Sequence, residues 1–426
     1  MLLDSIERSP ERGLLAAFTA WKLLLGSIVL ATPQPGYDTS TALAQLQSEG
    51  IAATGIGAWL LEVFCTGLTR WDAIYFIKAA ERGYANEQEW AFGWGYTQSV
   101  ALVTQVLSMI PGYSSLGHPT VEITSAILIS NACHLASVFV LYYLTLQCTN
   151  NPRPKQIAWL AAALHIMSPA GLFLSAPYSE SLFSFLAFFG TYIFVRSLSA
   201  IKAQRHIYGS ILTVFSGTTF FAACTVRSNG LLNGILFFAA FISALLRFSI
   251  FRVGVLGISG LIVGAGLVVP QYIAYQEFCS PEALRPWCTK TIPSIYTFVQ
   301  ELYWNVGPFR YWTLPNVPLF LLAAPTLFVL IKSGIWGVNQ SSERTAKGVV
   351  ITKELAAAQL LLAVMAIIGY HVQIITRLSS GCVVWYWWAA TKIAEEAPGK
   401  SEWIVRWMVM YAFIQGVLFA AFLPPA

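Results

Sequence analysis

Long apolar runs alternate with short polar connectors along this chain, and each run has a length that crosses a bilayer, about 17 to 25 residues. Eleven spans are predicted, centred at 14–31, 121–147, 156–173, 181–198, 208–226, 231–247, 253–275, 315–333, 356–376, 379–394 and 403–423. The pattern predicts an all-α polytopic membrane protein, with residues 1–426 as a single multi-spanning domain. Basic residues before the first run and a Pro-containing polar stretch after it would suit a secretory signal. Its apolar part is too long for that, so a retained anchor is the expectation. No internal repeat, soluble domain or low-complexity segment interrupts the pattern.

The basic connectors set the orientation. Lys202, Arg205 and His206, then Arg247 and Arg252, then Lys332, Arg344, Lys347 and Lys353 fall at alternate turns, which places those turns in the cytosol. Arg153 and Lys155 join them only if residues 98–112, QSVALVTQVLSMIPG, do not cross; an interfacial or re-entrant helix is predicted there. Two long luminal loops result, at about 32–120 and 276–314, with one sizeable cytosolic loop at about 334–355.

Composition narrows the class. Hydrophobic residues make up 56% and charged residues 11%, with a mean hydropathy of +0.63. The net charge of +5 is scattered between apolar runs, which excludes a nucleic-acid surface. Seven cysteines show no paired metal-ligand spacing, so no metal site is predicted. Cys279 and Cys288, in the second luminal loop, suit a local disulfide; two free thiols, or a bond to Cys65, are the alternatives. The triplet Asn339-Gln340-Ser341 stays unglycosylated if its loop is cytosolic.

Only three aspartates occur, and one ends Thr69-Arg70-Trp71-Asp72 near the predicted membrane surface. A retained carboxylate beside Arg and Trp in so apolar a chain is a candidate for chemistry. The bland alternative is a cap, because Thr69-x-x-Asp72 has capping-box spacing. Glu87 and Glu89 are nearby rivals. Trp71, Trp90, Trp94, Trp287, Trp304 and Trp312 lie in or beside the luminal loops, and three more Trp crowd 385–388. They fit an interfacial belt, a sugar-stacking cleft, or both.

Five blocks carry a family resemblance: RWDAIYFIKAAERGYANE at 70–87, SPAGLFLSAPYSESLF at 168–183, VRSNGLLN at 226–233, PWCTKTIPSIYTFVQELYWNVGPFRYWT at 286–313 and HVQIITRLSS at 371–380. In this the chain resembles the family of the second glycosylphosphatidylinositol (GPI) mannosyltransferase, the PIG-V type. One departure stands out. Where family members carry an AFFP-like string, this chain has Ala91-Phe92-Gly93-Trp94-Gly95-Tyr96, and the two glycines are expected to loosen the turn.

The resemblance implies a GT-C glycosyltransferase of the endoplasmic reticulum membrane. It would take mannose from dolichyl-phosphate mannose and add it in α1,6 linkage to mannosyl-glucosaminyl-phosphatidylinositol. Going from a β-linked donor to an α product inverts the anomeric carbon and needs one base, for which Asp72 is the candidate. The leaving lipid phosphate needs cations, and Arg227, Arg310 and Arg377 are expected at the luminal ends of spans. Arg70, Trp71, Tyr84, Glu87, Ser179, Glu180, Asn229, Trp304, Asn305 and His371 complete the substrate-binding candidates. Glu87 is expected to bond acceptor hydroxyls or to orient Arg70. No cofactor is firmly implied, a divalent metal is neither required nor excluded, and a small membrane partner subunit is compatible. Another lipid-linked-sugar transferase of the same architecture stays open, as does a non-enzymatic lipid transporter or scramblase, though the latter should show paired broken spans and a repeat.

Overall fold

A computed structural model describes residues 9–33, 36–38, 40, 55–149, 151–280, 285–340, 351–397 and 399–423. Among the described residues sixteen α-helices follow one another with short 3-10 turns between them, and there is no strand. They are α1 (Pro10–Ala31), α2 (Ile56–Leu68), α3 (Asp72–Arg82), α4 (Trp94–Leu107), α5 (Thr120–Cys148), α6 (Pro154–Ile166), α7 (Glu180–Lys202) and α8 (His206–Val226). The second half holds α9 (Gly234–Leu246), α10 (Ile250–Phe278), α11 (Ile295–Trp304), α12 (Val317–Asn339), α13 (Thr352–Ile368), α14 (Ile375–Leu378), α15 (Val383–Glu395) and α16 (Glu402–Ala420).

Eight helical stretches among the described residues are long and apolar enough to cross a membrane: α1, α5, α7, α8, α9 with the turn before it, α10, α12 with the turn before it, and α16. Three of the eleven predicted spans are not continuous helices of that length. α6 and α15 have 13 residues and α13 has 17. At 1.5 Å per residue, 13 residues reach about 20 Å, short of a hydrocarbon core of about 30 Å. The breaks have local causes. Pro169 cannot continue α6, and the backbone makes a 3-10 turn at Gly171–Leu174 before α7 starts. α13 stops at Gly369, and residues 370–382 pass through two 3-10 turns and the single turn of α14. Irregular backbone inside a bilayer protein survives where other protein covers it. Here Leu172, Leu174, Val372, Ile375 and Ser379 are all buried.

The predicted luminal loops are folded rather than extended. The first contains α2, α3 and α4; α4 is the 14-residue helix over the expected non-crossing segment, starting at Trp94 rather than Gln98. The second contains α11, held at its start by Ser294, whose hydroxyl accepts from the Thr297 amide. A small separate core joins the two loops through Tyr84, Trp90, Trp287, Cys288, Ile295 and Val299. Cys279 and Cys288 form a disulfide with Cα atoms 5.7 Å apart, and Cys65 is a buried free thiol. Ser341 of the glycosylation triplet, Arg344 and Lys347 of the connector predicted to be cytosolic, and residues 281–284 of the second loop lie outside the described residues. α12 ends at Asn339 and α13 begins at Thr352, so the connector is shorter than 334–355.

Candidate active site

A cleft of about 510 Å³ opens where α3, the turn before α7, the end of α8, the middle of α10, α11 and the broken stretch 370–378 meet. Every wall but that of α10 carries a predicted residue: Trp71 and Asp72, Ser179, Arg227 and Asn229, Trp304, His371 and Arg377.

Asp72 is the first residue of α3. The N-cap is Trp71, which makes no side-chain cap bond, while Thr69 ends α2 instead. The capping-box alternative for Asp72 therefore does not apply. Trp71 has φ 53°, a left-handed value that is unfavourable for a bulky residue. Two contacts hold it there. Its ring stacks on Phe422 at 5.2 Å, and the hydroxyl of buried Tyr178 donates to the Arg70 carbonyl at 2.9 Å.

One chain of charges crosses the cleft. Arg377 Nη1 donates to Asp72 Oδ2 at 3.0 Å, and its Nε donates to Glu180 Oε1 at 2.7 Å. Arg227 Nη1 reaches the same Glu180 oxygen at 2.8 Å and the Ser179 hydroxyl at 2.9 Å. Glu180 is 1% exposed, whereas the Asp72 side chain is 37% exposed. The two carboxylates thus differ in availability: Glu180 is spent on holding two cations, and Asp72 faces the cleft. Arg377 also lies over the rings of Phe173 and Tyr178, 4.6 and 4.7 Å from their centroids, which fixes the plane of its guanidinium.

The end of α8 that delivers Arg227 is approached unusually closely. A Cβ on Gly93 would fall 1.8 Å from the Val226 carbonyl oxygen, and one on Gly95 would fall 2.2 Å from the Thr225 hydroxyl. The expectation that these glycines loosen the turn is therefore corrected: with no Cβ they let α4 press onto α8, so the close fit excludes any larger residue.

Several predicted residues stand elsewhere. Arg310 does not join the other two arginines; its Nη2 pairs with Glu301 at 2.7 Å and both side chains are largely exposed. Glu87 accepts from Trp287 Nε1 at 2.8 Å and lies 3.8 Å from Arg285, so it ties the two loops together and neither lines the cleft nor orients Arg70. Tyr84 is buried behind the rim, donating to the Phe92 carbonyl at 3.0 Å. Glu89, the other rival carboxylate, completes a capping box with Asn86 and pairs with Arg82 at 2.6 Å. Burial favours its neutral form, but the bonds from Arg82 and Asn86 outweigh that and hold its carboxyl below the usual value. Arg70 is buried, with its guanidinium over Phe422 at 5.0 Å. Asn305 ends α11 in the left-handed conformation, a position Asn tolerates. His371 lines the cleft, donates from Nε2 to the Trp304 carbonyl at 2.8 Å and stacks on Tyr311 at 4.7 Å. Among the described residues no group of three or more His, Cys, Asp or Glu gathers as a metal-ligand set.

Tyr178, Gln271, Tyr296 and Gln373 also line the cleft and were not among the predicted residues. Gln271 had a signal: it is a polar side chain within the apolar helix α10, directly after Pro270.

Residues 15–426 match the family described as mannosyltransferase (PIG-V). A protein of Chaetomium globosum named GPI mannosyltransferase 2 is 43% identical over 470 residues, covering 99% of this chain and 97% of its own length. The protein of that name from Aspergillus oryzae is 40% identical over 442 residues, covering 98% and 96%. The crystal structure of the Archaeoglobus fulgidus oligosaccharyltransferase tethered to an acceptor peptide overlaps 96% of this chain at 13% identity and TM-score 0.47, and this chain spans about half its length, 55%. Matched by the family over nearly all of its length, and carrying among its described residues eight helical stretches fit to cross a bilayer, the chain belongs to the mannosyltransferase (PIG-V) family and is a multi-pass membrane glycosyltransferase.

Proposed function

We propose that this enzyme adds the second mannose to the GPI precursor in the lumen of the endoplasmic reticulum, on a GT-C architecture. It takes mannose from dolichyl-phosphate mannose and forms an α1,6 linkage to mannosyl-glucosaminyl-phosphatidylinositol. The observation that carries this reading is one accessible carboxylate, Asp72, sharing a cleft with two arginines that a buried glutamate anchors. The name borne by the relatives, GPI mannosyltransferase 2, supports the acceptor class.

The reaction needs little from the protein beyond placement. The acceptor 6-hydroxyl attacks the anomeric carbon as its proton passes to Asp72. The bond from that carbon to the phosphate oxygen breaks, and the electron pair leaves with dolichyl phosphate, which needs no proton. Arg377 occupies one oxygen of Asp72, and the carboxylate has a second for the acceptor proton. Arg227 and Arg377 supply charge where the phosphate gains it. A glycosidase pair of carboxylates is not called for, since no leaving-group acid is required.

The test is to supply the chain to cells lacking the second GPI mannosylation and to identify the lipid that accumulates. A two-mannose intermediate is expected. Continued accumulation of the one-mannose lipid at normal protein level would exclude the reading, and would favour a transferase acting on another lipid-linked acceptor.

A further inference from the structure

The cleft has a wall that the charge chain does not use. α10 and α11 supply it, and neither carries Asp72, Arg227 or Arg377. On this wall Gln271 Oε1 accepts from the Tyr296 backbone N–H and from the Ser294 hydroxyl, both at 3.1 Å. A backbone N–H is a donor only, so the oxygen must face it and the amide cannot be flipped. The Gln271 side chain therefore presents only its NH₂ for other contacts. Beside it, the Tyr296 hydroxyl accepts from Ser228 at 3.2 Å, which leaves its own proton to donate. Immediately before Gln271 in α10, Pro270 has no N–H and cannot donate to the carbonyl of Gly266, four residues earlier, which also lines the cleft. Within residues 266–271 of α10 and at the start of α11 lie two neutral donors and a backbone acceptor without its helical partner.

A hydroxyl both donates and accepts, so this combination suits a polyol better than a phosphate, for which the two arginines are already placed. We propose that Gln271, Tyr296 and the Gly266 carbonyl form a hydroxyl-reading subsite for the glycan of the acceptor. The proposal rests on the function proposed above. Gln271 and Tyr296 act as specificity-determining residues: they contact the acceptor sugar and not the donor phosphate.

Steady-state kinetics with the full-length enzyme in nanodiscs, with dolichyl-phosphate mannose and synthetic mannosyl-glucosaminyl-phosphatidylinositol varied in turn, tests this. Gln271→Glu is the informative variant. It keeps an oxygen for Tyr296 and Ser294, so a purely structural Gln271 predicts normal kinetics, but it replaces the NH₂ donor with an acceptor. The expected result is a rise in acceptor KM of about 10-fold or more with donor KM changed less than about threefold, and an unaltered melting temperature. Tyr296→Phe, which keeps the backbone N–H, should raise acceptor KM about 3-fold, the scale of one neutral hydrogen bond. Unchanged acceptor KM in both variants, or a rise confined to donor KM, would overturn the subsite. Absence of mannose transfer by the wild-type enzyme to this acceptor would instead sink the proposed function itself, so the two failures are distinct.

Discussion

Arg377 and Asp72, 305 positions apart in the chain, meet at 3.0 Å. The contact draws the start of α3 to the broken stretch after α13, and it makes Arg377 a shared partner, since the same guanidinium holds Glu180. A cation held on two sides loses little further freedom when a phosphate arrives, which is the physical advantage of pre-ordered charge in a transfer site.

Asp72→Asn keeps the size of the side chain and an oxygen for Arg377 while removing the proton acceptor. Transfer should fall about 100-fold or more, the range associated with general-base catalysis. Stability should change little, because Asp72 is not the N-cap of α3 and Arg377 keeps its bond to Glu180. Complementation normalised to protein level checks this, with Glu87→Gln as a comparison. Transfer at the wild-type rate by Asp72→Asn would remove it as the base.

Glu180→Gln tests the anchor. The glutamate is buried and one of its oxygens receives both arginines. Removing its charge leaves two cations facing each other near Asp72. Breaking a buried pair costs about 3–5 kcal/mol when both partners are sealed from water, and the cost here should be on the order of 2 kcal/mol because both arginines reach the cleft. kcat should fall at least about 10-fold as Arg227 and Arg377 lose their common anchor, with Glu180→Asp partly restoring it. Wild-type kcat in both variants would mean that the clamp does not position the arginines.

The residues of this clamp were legible because charge is rare in so apolar a chain: Glu180, Arg227 and Arg377 each stand at a predicted span end, and Asp72 is one of only three aspartates, in a predicted luminal loop, where an ionised side chain beside Arg and Trp needs a reason. Sequence supplies the depth of a residue along a span, however, and not the direction it faces. Arg310 sits in a stretch of the second loop as promising as VRSNG, yet it points to Glu301 and away from the cleft. Glu87 was misread for a different reason. Its partner, Trp287, is 200 positions away in the other loop, and nothing local announces that the two loops share a core. The predicted spans 156–173 and 356–376 ran past the ends of their helices because hydropathy does not register where Pro169 and Gly369 interrupt the ladder of hydrogen bonds.

Orientation gives a separate prediction. If the turns at Lys202–His206 and Arg247–Arg252 are cytosolic, a glycosylation site engineered near residue 292, which is exposed, should receive a glycan in microsomes, and Asn339 should carry none. Endoglycosidase-sensitive shifts on gels report both. The reverse pattern would put Asp72 on the cytosolic face, away from a luminal donor.

Gly93 offers the sharpest link between packing and chemistry. An alanine there would need its Cβ to occupy a position 1.8 Å from the Val226 carbonyl oxygen, and backbone cannot swing aside as a flexible side chain can. Overpacking of this kind typically costs about 1–3 kcal/mol, occasionally more. The displaced residue directly precedes Arg227, whose bonds to Ser179 and Glu180 have little slack at 2.9 and 2.8 Å, so activity should fall further than protein level does. Gly254→Ala is the control: it lies in α10, a Cβ there meets nothing within 4 Å, and alanine should be neutral or stabilise the helix by up to about 1 kcal/mol. Expression, melting temperature and transfer rate measured on both variants separate the two effects. If Gly93→Ala matches Gly254→Ala in all three, the close approach of α4 to α8 does not hold Arg227 in place.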